Sequence, residues 1–369
     1  SAASDVYKRQ PMPRPQVQTP PRLDLTGNSA DLSSFDFSLW QRYIKSALRQ
    51  RQRLLTYSEP QGEYDLRCAL ADYVRERRNV VTAPEHIVVG AGVQMLLEIL
   101  CVLLKGRRTV SFPDGSFVQG STVFAAHGYT VRTRYKDADI IYVSPSHMNR
   151  QGDVMPIQRR LELCAHSADT GAVVIEDDFE NDFLYSSTPT PSLYALGSGN
   201  VVYMGAFSAL LLPGIRISFM VLSPALAAAY HQMKDTFAQT ASKTEQIALC
   251  AYLRDGNMKS RTKKIRRLYT GKAKTLCALL AKALPDHPVR VGENGLQVQI
   301  ETPMLPDSAP FEQAGLALYI VKEKSGKNIV VVSPSAVPAD RLEEAALAVA
   351  AALYKAEEAA KAKQSKDIY

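Results

Sequence analysis

The chain has no apolar run long enough to span a bilayer and no charged-then-apolar leader of the kind that directs secretion. It also lacks paired cysteines. Cys68, Cys101, Cys164, Cys250 and Cys277 are odd in number, far apart and without a CxxC spacing. That excludes a disulfide scaffold and a thiolate zinc site, and it predicts reduced thiols in a cytoplasmic protein. The six histidines are scattered, so no metal ligand set forms. No segment repeats at a fixed period.

What is present is the composition of a globular protein, 46% hydrophobic and 22% charged over 369 residues, enough for a sizeable core in two or three units. A net charge of +7 permits contact with polyanions without requiring it. The densest basic cluster, Lys263, Lys264, Arg266 and Arg267 with Lys272 and Lys274, reads as the solvated face of an exposed helix, with nucleic-acid contact as the alternative.

Ser1 to Gln10 suits neither helix nor strand, and residues 11 to 22 (PMPRPQVQTPPR) hold prolines that favour an extended linker. A frayed terminus and a linker to a preceding segment both fit. From Leu23 the pattern turns globular, with helices expected over Ser38 to Gln52 and Gly62 to Arg78. A strand, His86 to Gly92, then leads into a helix over Val93 to Leu104 that is apolar nearly all round and so buried on most sides. Short β-rich runs recur at Thr109 to Phe112, Tyr129 to Tyr135, Ile140 to Val143, Ala172 to Ile175, Val201 to Met204 and Ile215 to Leu222. Helix-length segments separate most of them, which predicts an α/β domain with a mainly parallel sheet flanked by helices. After Ser223 helices dominate, two β-like runs follow at Gly295 to Ile300 and Asn328 to Val332, and an alanine-rich helix covers Ala339 to Lys363. The second part reads as a smaller α+β domain.

Three features carry chemistry. Gly90-Ala-Gly-Val-Gln94 joins a strand to a buried helix, where glycine lets backbone approach an anion and the helix N-terminus supplies free N–H groups. Ile175-Glu-Asp-Asp-Phe-Glu180 follows an apolar strand, and a carboxylate at the carboxyl end of such a strand faces the ligand crevice of an open α/β sheet. An aspartate there can hold a proton on a ring nitrogen; a helix cap or surface acid cluster is the alternative reading. The third is Tyr203-Met-Gly-Ala-Phe-Ser-Ala-Leu-Leu-Leu-Pro-Gly-Ile-Arg-Ile-Ser218.

That third segment resembles the cofactor-lysine stretch of fold-type-I, class I/II aminotransferases, which depend on pyridoxal 5′-phosphate (PLP). More narrowly, the chain resembles the aminotransferase-like domain of MocR-type transcriptional regulators of the GntR superfamily. Supporting matches are Tyr57 to Gly62, Val89 to Gln94, Ser144-Pro-Ser-His147, Ile175 to Asp178 and Ile265 to Tyr269; the likeness covers about residues 23 to 300. It implies four segments: 1–22 as a disordered start and linker, 23–55 packing with the small domain, 56–235 as the large PLP-binding domain, and 236–369 as the small domain.

By the same resemblance, Gly92, Val93, Gln94, Ser208 and Arg216 hold the cofactor phosphate, Phe117 stacks on the ring, and Asp177 pairs with its nitrogen. Asn149 approaches the ring hydroxyl, and Phe179 replaces a tyrosine that usually bonds there. The departures are equally specific. Ala209 stands where the Schiff-base lysine belongs, and no lysine lies between Gln158 and Lys234. Gln119 replaces an arginine common in these regulators, and Asn328 to Pro334 (NIVVVSP) offers no counterpart of the late arginine that clamps a substrate carboxylate.

An alanine methyl can neither form the imine nor move the proton at Cα. Engineered replacement and natural loss both account for Ala209; the missing arginines favour natural loss. The resemblance further implies a homodimer, non-covalent PLP, a small amino-acid or amine effector, no membrane, and DNA contact only through an upstream domain. A stand-alone aminotransferase, degenerate or carrying a lysine-to-alanine change, is the alternative, and a ligand-free dimerisation scaffold a third.

Overall fold

The computed structural model describes residues 20–178, 181–183, 191–197, 199–322 and 326–366. Seven strands form the main sheet: β1 (Ile87–Gly90), β2 (Thr109–Phe112), β3 (Thr130–Thr133), β4 (Ile140–Val143), β5 (Val173–Asp177), β6 (Val201–Ala206) and β7 (Ser218–Val221). Their spatial order is β1-β7-β6-β5-β4-β2-β3, parallel throughout except β7, which runs antiparallel to both of its neighbours. The exception has a local cause. Every parallel step needs a crossover, usually a helix, whereas residues 207–217 between β6 and β7 contain no helix and turn the chain straight back.

Helices cover the sheet: α1 (Phe37–Arg49), α2 (Tyr64–Arg78), α3 (Val93–Leu103), α4 (Val118–Ala126), α5 (Ile157–Thr170), α6 (Pro224–Met233) and α7 (Lys243–Arg254). Helix α3 buries Leu96, Leu97, Leu100 and Cys101 against Val88, Ile175, Met204 and Met220 of the sheet. Among the described residues no helix is long and apolar enough to cross a membrane.

The smaller unit is an antiparallel sheet of β8 (Val289–Val291), β9 (Val298–Thr302), β10 (Tyr319–Lys322) and β11 (Asn328–Val332), ordered β10-β11-β9-β8. The sequence pattern shows only β9 and β11, the two central strands. β8 and β10 lie at the edges and are only partly buried, so they carry no continuous apolar run. Two long helices, α8 (Asn257–Ala283) and α9 (Leu342–Lys366), close this unit.

Core packing divides the chain differently from the boundaries at 55 and 235. Leu23 and Leu25 sit in the small-domain core with Val298 and Val330. Phe35, Trp40 and Ala47 instead join Leu66, Phe219 and Ile247 in the core of the large domain. Helix α8 belongs to both cores, with Met258, Ile265 and Tyr269 in one and Ala273, Leu276 and Leu280 in the other. Its basic cluster is not one solvated face. Lys263, Lys264, Arg267 and Lys274 are exposed, but Lys272 is buried and its Nζ lies 2.8 Å from Asp31.

Candidate functional site

The carboxyl ends of β1, β6, β5, β4 and β2 and the start of β7 share one edge of the main sheet, the edge at which doubly wound sheets place ligands. A cavity of about 690 Å³ opens there, between that edge and the small domain. Gly92, Val93 and Gln94 line it at the N-terminus of α3, with Ser208 and Arg216 from the β6–β7 connection. Phe117 and Asp177 line it from beyond β2 and at the end of β5. The small domain contributes Gln297, Tyr319, Val331 and Ser333, and the N-terminal segment Leu25 to Asn28.

The antiparallel placement of β7 beside β1 brings Arg216 against the α3 turn. A Cβ on Gly92 would stand 2.4 Å from a guanidinium nitrogen of Arg216, and the backbone there has φ +95°. Only glycine satisfies both demands. Among the described residues no carboxylate pairs with Arg216. A guanidinium with no carboxylate partner among the described residues, held against a helix N-terminus, is chemically suited to an anion.

Glu176, Asp177 and Asp178 meet three different partners. Asp177 faces the cavity and accepts a hydrogen bond from the Tyr142 hydroxyl, on the adjacent strand β4. Burial, then the charge of Asp177, pushes the Tyr142 phenol well above its ordinary value, so it stays a donor. Asp178 turns away and forms a buried pair with Arg78 (2.7 Å) while accepting from the Tyr203 hydroxyl (2.6 Å). Glu176, fully buried, accepts from the backbone N–H groups of Leu193 (2.8 Å) and Tyr194 (2.9 Å). Burial, then the Asp178 charge, raises the Glu176 carboxyl to about 7.

Of the residues expected at the site, Gly92, Val93, Gln94, Phe117, Asp177, Ser208 and Arg216 therefore gather around one cavity. Phe117 packs close to Tyr142, the ring centres 5.2 Å apart. Asn149 does not join them. Its amide donates to Asp153 (2.7 Å) within a turn and lines a separate cavity of about 670 Å³, because Gly152 folds the loop back after β4. That cavity adjoins the main one and shares Phe112, Pro113, Tyr142 and Met148 with it. Phe179 lies outside the described residues. Ala209 lines a smaller cavity of about 210 Å³ that shares Ser208 and Arg216 with the main one.

Tyr142, Arg150 and Tyr319 also line the cavity and belong to no motif of the sequence. A tyrosine inside the apolar run Ile140 to Val143 is a usable signal, since a buried hydroxyl needs a partner. Arg150 and Tyr319 meet only through the fold: the guanidinium carbon lies 3.9 Å from the Tyr319 ring centre.

The model of the family "aminotransferase class I and II" matches residues 25–339. The chain is 33% identical over 312 residues to an HTH-type transcriptional regulator of Bacillus subtilis (strain 168), YhdI, covering 80% of this chain and 66% of that one. It is 28% identical over 297 residues to the probable rhizopine catabolism regulatory protein MocR of Rhizobium meliloti, covering 76% and 60%. The chain thus spans roughly two thirds of the length of these curated relatives. Among solved structures, an archaeal alanine:glyoxylate aminotransferase aligns with TM-score 0.80 at 20% identity, over 90% of this chain and 91% of the other. LysN, an α-aminoadipate aminotransferase of Thermus thermophilus complexed with N-(5′-phosphopyridoxyl)-L-leucine, aligns with TM-score 0.76 at 22% identity, over 91% and 93%. At such identities these two likenesses are of fold alone.

Proposed function

The chain belongs to the aminotransferase class I and II family, and from that premise we propose that its main cavity binds PLP without a covalent bond. In this reading it is the effector domain of a MocR/GntR-type transcriptional regulator, sensing a small amino acid or amine. The observation that carries the reading is the pairing of an anion site at Gly92 and Arg216 with the Tyr142-held carboxylate of Asp177 in one cavity that no lysine lines among the described residues.

The residues present fit the cofactor. The α3 amides, Ser208 and Arg216 would hold its phosphate, and Asp177 would keep a proton on its ring nitrogen. When bound, PLP supplies an electron sink that weakens bonds at an amine-bearing carbon. The Tyr142 hydrogen bond orients Asp177, and Phe117, which lines the cavity beside Tyr142, would shield a bound ring from water. Ala209 offers a methyl group where attachment and proton transfer need an amine, so turnover is impaired. The domain would act as a cytoplasmic homodimer, and residues 25–339 are assigned no DNA contact; in the regulators, that contact would fall outside the matched region.

Titration of the purified protein with PLP, followed by visible absorption, tests this. Asp177→Ala and Arg216→Ala should each weaken binding at least about tenfold, the scale of a lost charge-assisted hydrogen bond. Borohydride should fix no cofactor near residue 209. Unchanged affinity in both variants would overturn the assignment.

A further inference from the structure

We propose that Arg150 is the carboxylate anchor of this cavity, so that the effector it selects is an amino acid or similar carboxylate rather than a simple amine. The proposal rests on the cavity being the cofactor site. Neither position expected to supply an anchoring arginine does so: Gln119 lines the cavity, and the segment Asn328 to Pro334 contributes only Val331 and Ser333. Arg150 lines the same cavity from the loop after β4. Strand β4 is three positions from β7 in the sheet, roughly 14 Å at ordinary strand spacing. The loop that carries Arg150 and the connection that carries Arg216 thus leave strands on opposite sides of β5, whose end bears Asp177, and a ligand whose phosphate sits at Arg216 would extend its other end toward Arg150.

Its surroundings are those of a held but uncommitted cation. The guanidinium stacks over Tyr319 at 3.9 Å, and among the described residues it has no carboxylate partner. Stacking uses the flat face of the group and leaves its in-plane N–H donors for a planar anion. Tyr319 is fixed in turn, because its hydroxyl accepts from the Asn28 amide at 3.0 Å.

The loop bearing Arg150 is stitched to the small domain on its other side. The Asn294 N–H donates to the Gly152 carbonyl (3.0 Å), the Gln299 amide to the Gln151 carbonyl (2.7 Å), and the Val154 N–H to the Glu293 carboxylate (2.8 Å). A long arginine in a pocket usually loses binding energy to ordering; here the ordering is already done. Among the described residues the carboxylates lining the cavity are Asp114 and Asp177, and Asp177 is engaged by Tyr142.

The test compares two stable probes that differ only in the carboxylate, N-(5′-phosphopyridoxyl)-L-leucine and N-(5′-phosphopyridoxyl)-3-methylbutylamine, by calorimetry on the intact chain with PLP alone measured alongside. The wild type should bind the leucine adduct at least about tenfold more tightly. Arg150→Ala should bring the ratio of the two Kd values to about one, and Arg150→Lys should leave it between, since a point charge lacks the bidentate fork. Reading a ratio cancels any general loss of affinity. If the alanine variant does not fold, Arg150→Gln, which keeps most of the stem, gives the same reading. A wild-type ratio of one, or a preference that survives removal of Arg150, overturns the anchor while PLP binding keeps the cofactor site. Failure of the wild type to bind PLP and both adducts overturns the cofactor site and the anchor with it.

Discussion

Three neighbouring carboxylates, Glu176, Asp177 and Asp178, share one strand end yet meet a helix N-terminus, a cavity and an arginine respectively. Alternation along β5 separates Asp177 from the other two, since successive side chains leave opposite faces of a sheet, and Glu176 and Asp178 then differ in the partners they meet on their shared side. It has a thermodynamic consequence at Glu176, whose carboxyl rises from 4.5 to about 7, chiefly through burial. Between those values the folded chain holds a proton that the unfolded chain releases. Stability from this group is therefore complete at acid pH and lost as pH climbs through the window, by up to about 3 kcal/mol. Glu176→Gln should match the wild type near pH 4.5 and exceed it in Tm above pH 7; parallel Tm curves for the two proteins would contradict the shift. The sequence reading selected Asp177 from the three by its likeness to a family motif. It did not find Tyr142, because the cross-strand register that brings Tyr142 beside Ile175, and so next to Asp177, is not written in either segment alone.

At the scale of elements, the decisive junction is β1 to α3. The glycine-rich turn and the apolar helix were both legible, the helix from an unbroken series of large apolar residues. What faces the turn was not, because Arg216 arrives only through the reversed strand β7. Gly92→Ala should cost about 1–3 kcal/mol of backbone strain and push Arg216 away, lowering both the denaturation midpoint and PLP affinity. An alanine variant with unchanged PLP affinity would show that Arg216 does not act from that position. The charge pattern of helix α8 predicts an exposed basic helix, but charge counting cannot see the third dimension. Lys272 turns inward to Asp31 and to the backbone carbonyl of Val337 (2.6 Å). Removing the amine leaves Asp31 buried without its counter-ion, so Lys272→Ala should destabilise the fold by about 3–5 kcal/mol, measurable by urea unfolding.

For the whole molecule, the cavity draws on both domains and on the N-terminal segment, so a ligand there ties together parts that are distant in sequence. PLP at a hundred times its Kd should add about 2.7 kcal/mol to unfolding, seen as a higher Tm, with Ala209 in place. A Tm that does not move with PLP would mean that the cavity does not bind it. The sequence by itself determined the strand-helix alternation and the glycine-rich turn, because hydrophobic period and glycine placement are local properties, while its resemblance to a known family supplied the residues expected at the carboxyl edge. It also determined that alanine occupies position 209. Only the tertiary structure decided that β7 runs backward to set Arg216 on Gly92, that Asn149 turns into its own loop, and that Arg150 rests on Tyr319. The first and the last depend on contacts between segments more than a hundred residues apart, where pairing is fixed by packing rather than by any local pattern, whereas Asn149 bonds four residues along its own loop.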